Sequence, residues 1–194
     1  MVDAMIRPVS AADRNMAIAS LAAAFADDPA MCFLFPDARQ RRRHLPRLFA
    51  MLYDSDADRG LRLISDDRQA VTLWRAPGSA DNDARFGWRQ RLVALWRFGE
   101  GLERAHRLGK AIEAHFPPQP FWYLHIAGCA PAAQGRGLGV AAVRAGLQRI
   151  EGAPAYLETA NEANLGFYRH LGFEVHSRWQ VPGDGPVFWS MQRG

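Results

Sequence analysis

Between residues 14 and 28 the apolar positions Ile18, Leu21, Ala22 and Phe25 recur every three or four residues, the spacing of one helical face, and Pro29 closes the pattern. Ser10 with Asp13 three residues on is an N-cap signal at the start of that helix, and residues 4–9 before it predict a short strand. A second helix is predicted over residues 37–56, with Leu45, Leu48, Phe49 and Leu52 on one side and Arg39, Arg41, Arg42, Arg43 and Arg47 on a solvated face. Residues 61–65 and 70–75 read as two strands joined through the polar Asp66-Asp67-Arg68-Gln69.

Helical spacing returns over residues 81–116, broken near Gly99 and Gly101, with Phe86, Trp88, Leu92, Leu95 and Trp96 as its bulky members. This predicts an inserted helical pair. Pro117, Pro118 and Pro120 end it, and the strongly apolar residues 121–130 predict a buried strand. A helix over 137–150, a strand over 155–159, a short helix over 164–171 and strands at 173–175 and 187–192 complete a mixed α/β order without internal repeats.

A chain of 194 residues fits one domain, so residues 1–194 are expected to form a single unit with the insertion at about 81–116. With 48% apolar and 23% charged residues it can bury a core and is not disordered. The net charge of +4 is only mildly basic, and it is almost all arginine, Lys110 being the one lysine. Arginine suits bidentate grips on phosphate or carboxylate, but such a bias also arises from composition alone. The arginines of residues 39–47 have no interleaved aromatics, so no nucleic-acid partner is expected. Cys32 and Cys129 stand far apart with no histidine at ligand spacing, which supports neither a disulfide scaffold nor a metal site. The absence of a basic leader and of an 18-residue apolar run leads to the expectation of a cytoplasmic protein with no membrane association.

The chemistry concentrates in residues 125–139. A strand runs into a loop with glycine at 135, 137 and 139 and then directly into a helix, so outward backbone N–H groups and the helix N-terminus together make an anion site suited to a phosphate-bearing ligand. Gly137-Leu138-Gly139-Val140-Ala141-Ala142 also satisfies G-x-G-x-x-A, and Glu158 follows about 20 residues on, as in a dinucleotide site. That reading fails on context. Residues 131–134 separate strand from glycines, and only 36 residues follow Glu158, too few for a second nucleotide-binding half.

Gln134-Gly135-Arg136-Gly137-Leu138-Gly139 resembles the Q-x-x-G-x-G signature of the GNAT superfamily of N-acetyltransferases, and Asn164 with Phe167-Tyr168-Arg169-His170-Leu171-Gly172-Phe173 resembles that family's second motif, in the right order and separation. Within it the chain is most similar to puromycin N-acetyltransferase-like proteins, through residues 21–27, 120–124 and 157–159, Val181-Pro182 and Trp189. The resemblance spans about residues 15–192 and is weakest over 81–116. It implies a central mixed, mostly antiparallel sheet flanked by helices, with strands 4 and 5 splayed apart.

It also implies that acetyl-coenzyme A is the co-substrate and a primary amine of a small molecule the acceptor, in a monomer or homodimer. Acetylation of a protein or peptide, or an acyl-coenzyme-A sensor without catalysis, are the alternatives. In this likeness the backbone of Gln134, Gly135, Arg136, Gly137, Leu138 and Gly139 holds the pyrophosphate, Arg136 and Arg144 adding charge, while Ala127, Gly128, Cys129 and Asn164 face the pantetheine arm. Asn164 is equally explained as a helix cap, and Cys129 as core. Tyr168 is the candidate acid, since a phenol stays protonated at neutral pH, although packing among Phe167, Leu171 and Phe173 would also explain it. For the base, Glu158, His125 and an ordered water remain open. Trp88, Trp96 and Trp122, with Phe86, either wall an acceptor pocket or pack the inserted helices.

Overall fold

Burial alternates along the chain in a way that assigns each predicted segment to a layer. In the computed structural model, which describes residues 5–80 and 101–194, a single sheet runs β1 (Ile6–Pro8), β2 (Gly60–Ser65), β3 (Ala70–Arg75), β4 (Trp122–Cys129), β5 (Ala155–Thr159), β7 (Val187–Arg193), β6 (Glu174–Gln180) in spatial order. All neighbours are antiparallel except β4 and β5, which are parallel and joined by the helix α5 (Leu138–Arg149). Sheet and flanking helices form the mixed α/β architecture expected from the sequence. No helix among the described residues is long and apolar enough to cross a membrane.

One face of the sheet is covered by α1 (Arg14–Ala24) and α3 (Ala38–Ser55), whose Ala17, Leu21, Leu45 and Phe49 meet Ile64, Val71, Leu73 and Ile126 from the strands. The other is covered by α5 and α6 (Leu165–His170), where Val143, Leu147, Leu165 and Tyr168 meet Trp74, Leu124 and Leu157. Trp74 is fully buried, and Gly146 of α5 lies against it so closely that a Cβ there would fall 2.4 Å from the indole. This is why a helix interior tolerates that glycine.

Three predictions need correction. Pro29 does not merely end a helix: it opens another, α2 (Pro29–Leu34), as its first residue, with Asp28 Oδ1 accepting from Ala30 N–H at 2.9 Å and Met31 N–H at 3.4 Å. Arg41 is not on a solvated face. It is buried and donates to the carbonyls of Ala26, Phe35 and Pro36, tying α3 to the turns around α2. The final hairpin is also longer than predicted, β6 running to Gln180 with His176 as an extra residue opposite β7. The predicted helical pair is described only in its second part, α4 (Gly101–Glu113); residues 81–100 lie outside the described residues.

Candidate active site

The β4–β5 pair is hydrogen-bonded only at its start, Trp122 opposite Ala155 and Tyr123 opposite Tyr156. Beyond that point the strands part. One local cause is in β4, where Leu73 faces Ile126 and Trp74 faces Leu124, leaving His125 as an extra residue that bends the strand. The backbone of β4 past His125 therefore has no strand beside it on the β5 side, and its N–H and C=O groups on that edge can pair with a ligand.

A cleft of about 610 Å³ follows the opening, lined among others by Thr72, Ala127, Gly128, Cys129, Gly137 and Tyr168. Gly128 lets α1 close over its floor: a Cβ there would come within 2.8 Å of Leu21 and 3.1 Å of Phe25. At the far end, Gly135 and Gly137 adopt positive φ, 76° and 80°, which only glycine tolerates freely, and nothing lies within 4 Å of where a Cβ would stand. Gly137 caps α5 without any side-chain hydrogen bond. The N–H groups of Leu138, Gly139 and Val140 thus lack intrahelical acceptors at the positive end of the helix dipole. Gln134 Nε2 donates to the Cys129 carbonyl at 3.1 Å, bracing the loop, and Arg136 reaches Asp67 at 3.8 Å from an exposed position.

Acid and base candidates lie on opposite sides of the sheet. Tyr168 packs with Leu157 and Leu165 on the α5–α6 side, lines the cleft, and is kept protonated by burial and by the nearby charge of Asp28. Glu158 follows Leu157 on β5, so its side chain emerges on the other side. Burial pushes its carboxyl up to about 8, against the phenols of Tyr123 and Tyr156, which favour its charged form. Its Oε1 is fully enclosed without a hydrogen-bond partner, as is the Thr72 hydroxyl beside the cleft. Unsatisfied polar atoms of this kind await a ligand or a water.

Two residues before Glu158 on β5, Tyr156 joins Phe116, Phe121 and Tyr123 in an aromatic cluster of edge-on and tilted rings, with Phe121 and Tyr156 5.1 Å apart and Phe116 and Tyr123 5.3 Å apart. Beside it His125 Nδ1 lies 2.6 Å from Asp56 Oδ2, and Asp56 is paired with Arg75. Both Asp56 and Arg75 are buried, and neither stood out in the sequence.

Residues 67–173, more than half of the chain, match the Acetyltransferase (GNAT) family. The chain belongs to that family. Similar solved structures include the histone acetyltransferase HPA2 and related acetyltransferase from Corynebacterium glutamicum, with TM-score 0.74 and 24% identity over 98% of this chain and 95% of that one. Arylalkylamine N-acetyltransferase 2 from Aedes aegypti matches with TM-score 0.62 and 11% identity over 97% of each chain. The polyamine N-acetyltransferase of Drosophila melanogaster gives 0.54 and 14%, over 97% of this chain and 98% of that one. At these identities the likenesses show the shared fold.

Membership of the GNAT family implies acetyl-coenzyme-A-dependent acyl transfer in general, and the residues present fit that co-substrate. An uncapped helix start fronted by open glycines suits a pyrophosphate, and an unpaired strand edge beside the orphaned Thr72 hydroxyl suits an amide-bearing arm. The structure brings Ala127, Gly128, Cys129, Gln134, Gly135, Gly137, Leu138, Gly139, Asn164 and Tyr168 together on one cleft. His125 and Glu158 stand where its strands separate, two residues beyond the last pair on each.

Other predicted residues behave differently. Cys129 packs half-buried against the small cluster of Ala70, Ala133, Leu138 and Ala142 and also lines the cleft, and burial pushes its thiol up, away from nucleophilic use. Asn164 does not cap through its side chain. Asn161 caps the 3-10 turn that precedes this helix, accepting from Ala163 N–H at 3.1 Å. Trp122 sits at the closed end of the β4–β5 pair and packs against the α5–α6 cluster, away from the cleft. Arg144 lies with His170 and Arg193 around a separate hollow of about 300 Å³. Trp88, Trp96 and Phe86 lie outside the described residues. Among the described residues no group of histidines, cysteines and carboxylates could hold a metal ion.

Proposed function

We propose that the protein transfers an acetyl group from acetyl-coenzyme A to the primary amine of a small molecule, by direct attack with both substrates bound. The observation that carries this reading is a buried carboxyl with a raised pKa and an unpaired oxygen, Glu158, standing at the strand opening across the sheet from the protonated phenol of Tyr168. The acetyl carbonyl then lies between the strands, its oxygen toward backbone N–H groups of β4 near Cys129. A neutral amine attacks the carbonyl carbon from the Glu158 side. As the C–N bond forms, the ionised Glu158 takes one N–H proton, directly or through a water; as the C–S bond breaks, Tyr168 gives its proton to the sulfur, and solvent returns a proton from Glu158 to Tyr168.

A small apolar or aromatic amine is supported by the cluster of Phe116, Phe121, Tyr123 and Tyr156 beside Glu158. The resemblance of residues 21–27, 120–124 and 157–159 to puromycin N-acetyltransferase-like proteins points the same way.

The test is thiol release from acetyl-coenzyme A across a panel of aromatic amines, polyamines and peptides. Turnover with small amines supports the reading. Turnover with peptides alone, or tight cofactor binding without turnover, would replace it with protein acetylation or a sensor. Tyr168→Phe is expected to lower kcat about ten- to a hundredfold while leaving acetyl-coenzyme A affinity in place; a wild-type rate removes Tyr168 from the mechanism.

A further inference from the structure

The sheet face that carries Glu158 also carries a buried polar cluster to which the acid and base roles give no task. Asp56 ends α3 and is fully enclosed, as is the Arg75 guanidinium on β3. Arg75 turns two donors toward Asp56 Oδ1, Nε at 2.8 Å and Nη2 at 2.8 Å, and a third to the Ala80 carbonyl at 3.0 Å. The other carboxylate oxygen, Oδ2, is 2.6 Å from His125 Nδ1. Burial alone would raise the Asp56 carboxyl, but His125 and Arg75 outweigh it and hold it below the ordinary range.

An ionised carboxylate can only accept, so the proton in the His125–Asp56 bond belongs to Nδ1. Burial also draws the imidazole below its ordinary pKa; Asp56 pulls the other way, Arg75 and Arg59 with burial. The ring is therefore neutral at pH 7, with a lone pair on Nε2, and Nε2 makes no hydrogen bond to the described residues. His125 stands two residues past Tyr123 on β4, as Glu158 stands two past Tyr156 on β5. The Tyr123 ring lies 5.4 Å from the His125 ring, and its hydroxyl is turned to the Glu158 carboxyl.

A primary amine brings one lone pair and two N–H groups. Attack uses the lone pair and Glu158 receives one proton, which leaves the second N–H to be met by a fixed acceptor. We propose that Asp56 is a positioning residue that holds His125 in its Nδ1–H form, presenting Nε2 as the fixed acceptor for the second N–H of the attacking amine. Arg75 keeps Asp56 ionised and in place. This inference rests on the acetyl-transfer reading and gives it a specificity: primary amines are favoured over their N-methyl counterparts, which have no second N–H.

Nitrogen NMR of the histidine-labelled wild-type protein, with His125→Asn to assign the signal, reads the tautomer without any turnover. The Nδ1–H form is expected, and an Nε2–H form overturns the proposal. Asp56→Asn, His125→Ala and the double variant are then compared by kcat/KM for an amine that the wild type acetylates. Each single change is expected to cost about ten- to a hundredfold, and the double variant no more than His125→Ala alone, with acetyl-coenzyme A affinity by calorimetry unchanged. Additive losses, or full turnover by a folded Asp56→Asn, overturn it; if that variant does not fold, the wild-type tautomer and the primary-to-N-methyl preference of His125→Ala decide. No thiol release by the wild type with any amine is a separate outcome, which sinks the acetyl-transfer reading itself.

Discussion

Glu158 is a carboxyl whose chemistry and stability pull in opposite directions. Burial holds its pKa near 8 in the fold, while the ordinary value is 4.5. Between those values the folded chain keeps a proton that the unfolded chain has lost, so stability falls as pH rises through this window and the loss is complete above about 8. Glu158→Gln removes that dependence. Urea unfolding at pH 6 and pH 9 should find the variant more stable than wild type at the higher pH, by roughly 1–3 kcal/mol, even though its acetyl transfer drops about 10²- to 10⁴-fold. An unchanged pH profile of stability would mean that the carboxyl is not held neutral by burial. In the wild type, kcat/KM should climb as pH passes through about 8, where Glu158 ionises and can accept a proton. Asp13 shows the reverse case. Arg7, Ser10 and Arg68 all donate to it and hold its carboxyl far below the ordinary range, so its support of the fold is fully present above that range and is lost only as pH falls below it.

Among the helices, α5 has most to satisfy: its start must be open to a ligand and its middle must press on Trp74. Gly146 serves the second need. Alanine in a helix interior is normally better than glycine by about 1 kcal/mol, but here the new methyl would meet a rigid, fully buried indole at 2.4 Å. Overpacking of that kind costs about 1–3 kcal/mol and wins. Gly146→Ala should therefore lower the urea midpoint; a rise would show that Trp74 can shift aside. The start of α5 was legible in the sequence because glycines at 135, 137 and 139 directly before a helix have few other uses. The α2 helix was not, because a proline closing one helical pattern and a proline opening the next look alike until the capping bonds of Asp28 are seen.

For the molecule as a whole, the decisive feature is a sheet that comes apart in its middle while both faces stay covered. Hydrogen exchange should register the occupant of that opening: acetyl-coenzyme A is expected to slow exchange at residues 127–129 and at Leu138, Gly139 and Val140, and to leave the β6–β7 hairpin, on the other side of β5, unchanged. Protection confined to the hairpin would place the ligand elsewhere. Apart from α2 and the length of β6, strand and helix positions, the glycine turn and the Tyr168 segment were set by local pattern, since alternation, capping and turn chemistry act within a few residues of chain. Local pattern could not show that His125 is an extra residue in β4, for a bulge exists only relative to the partner strand. Nor could it join Asp56 to Arg75, 19 residues away, and to His125, 69 residues away, or move Trp122 to the closed end of the strand pair. Those are contacts between elements, and the energy that fixes them, burial of charge balanced by partners brought from elsewhere in the chain, arises only once the layers have closed.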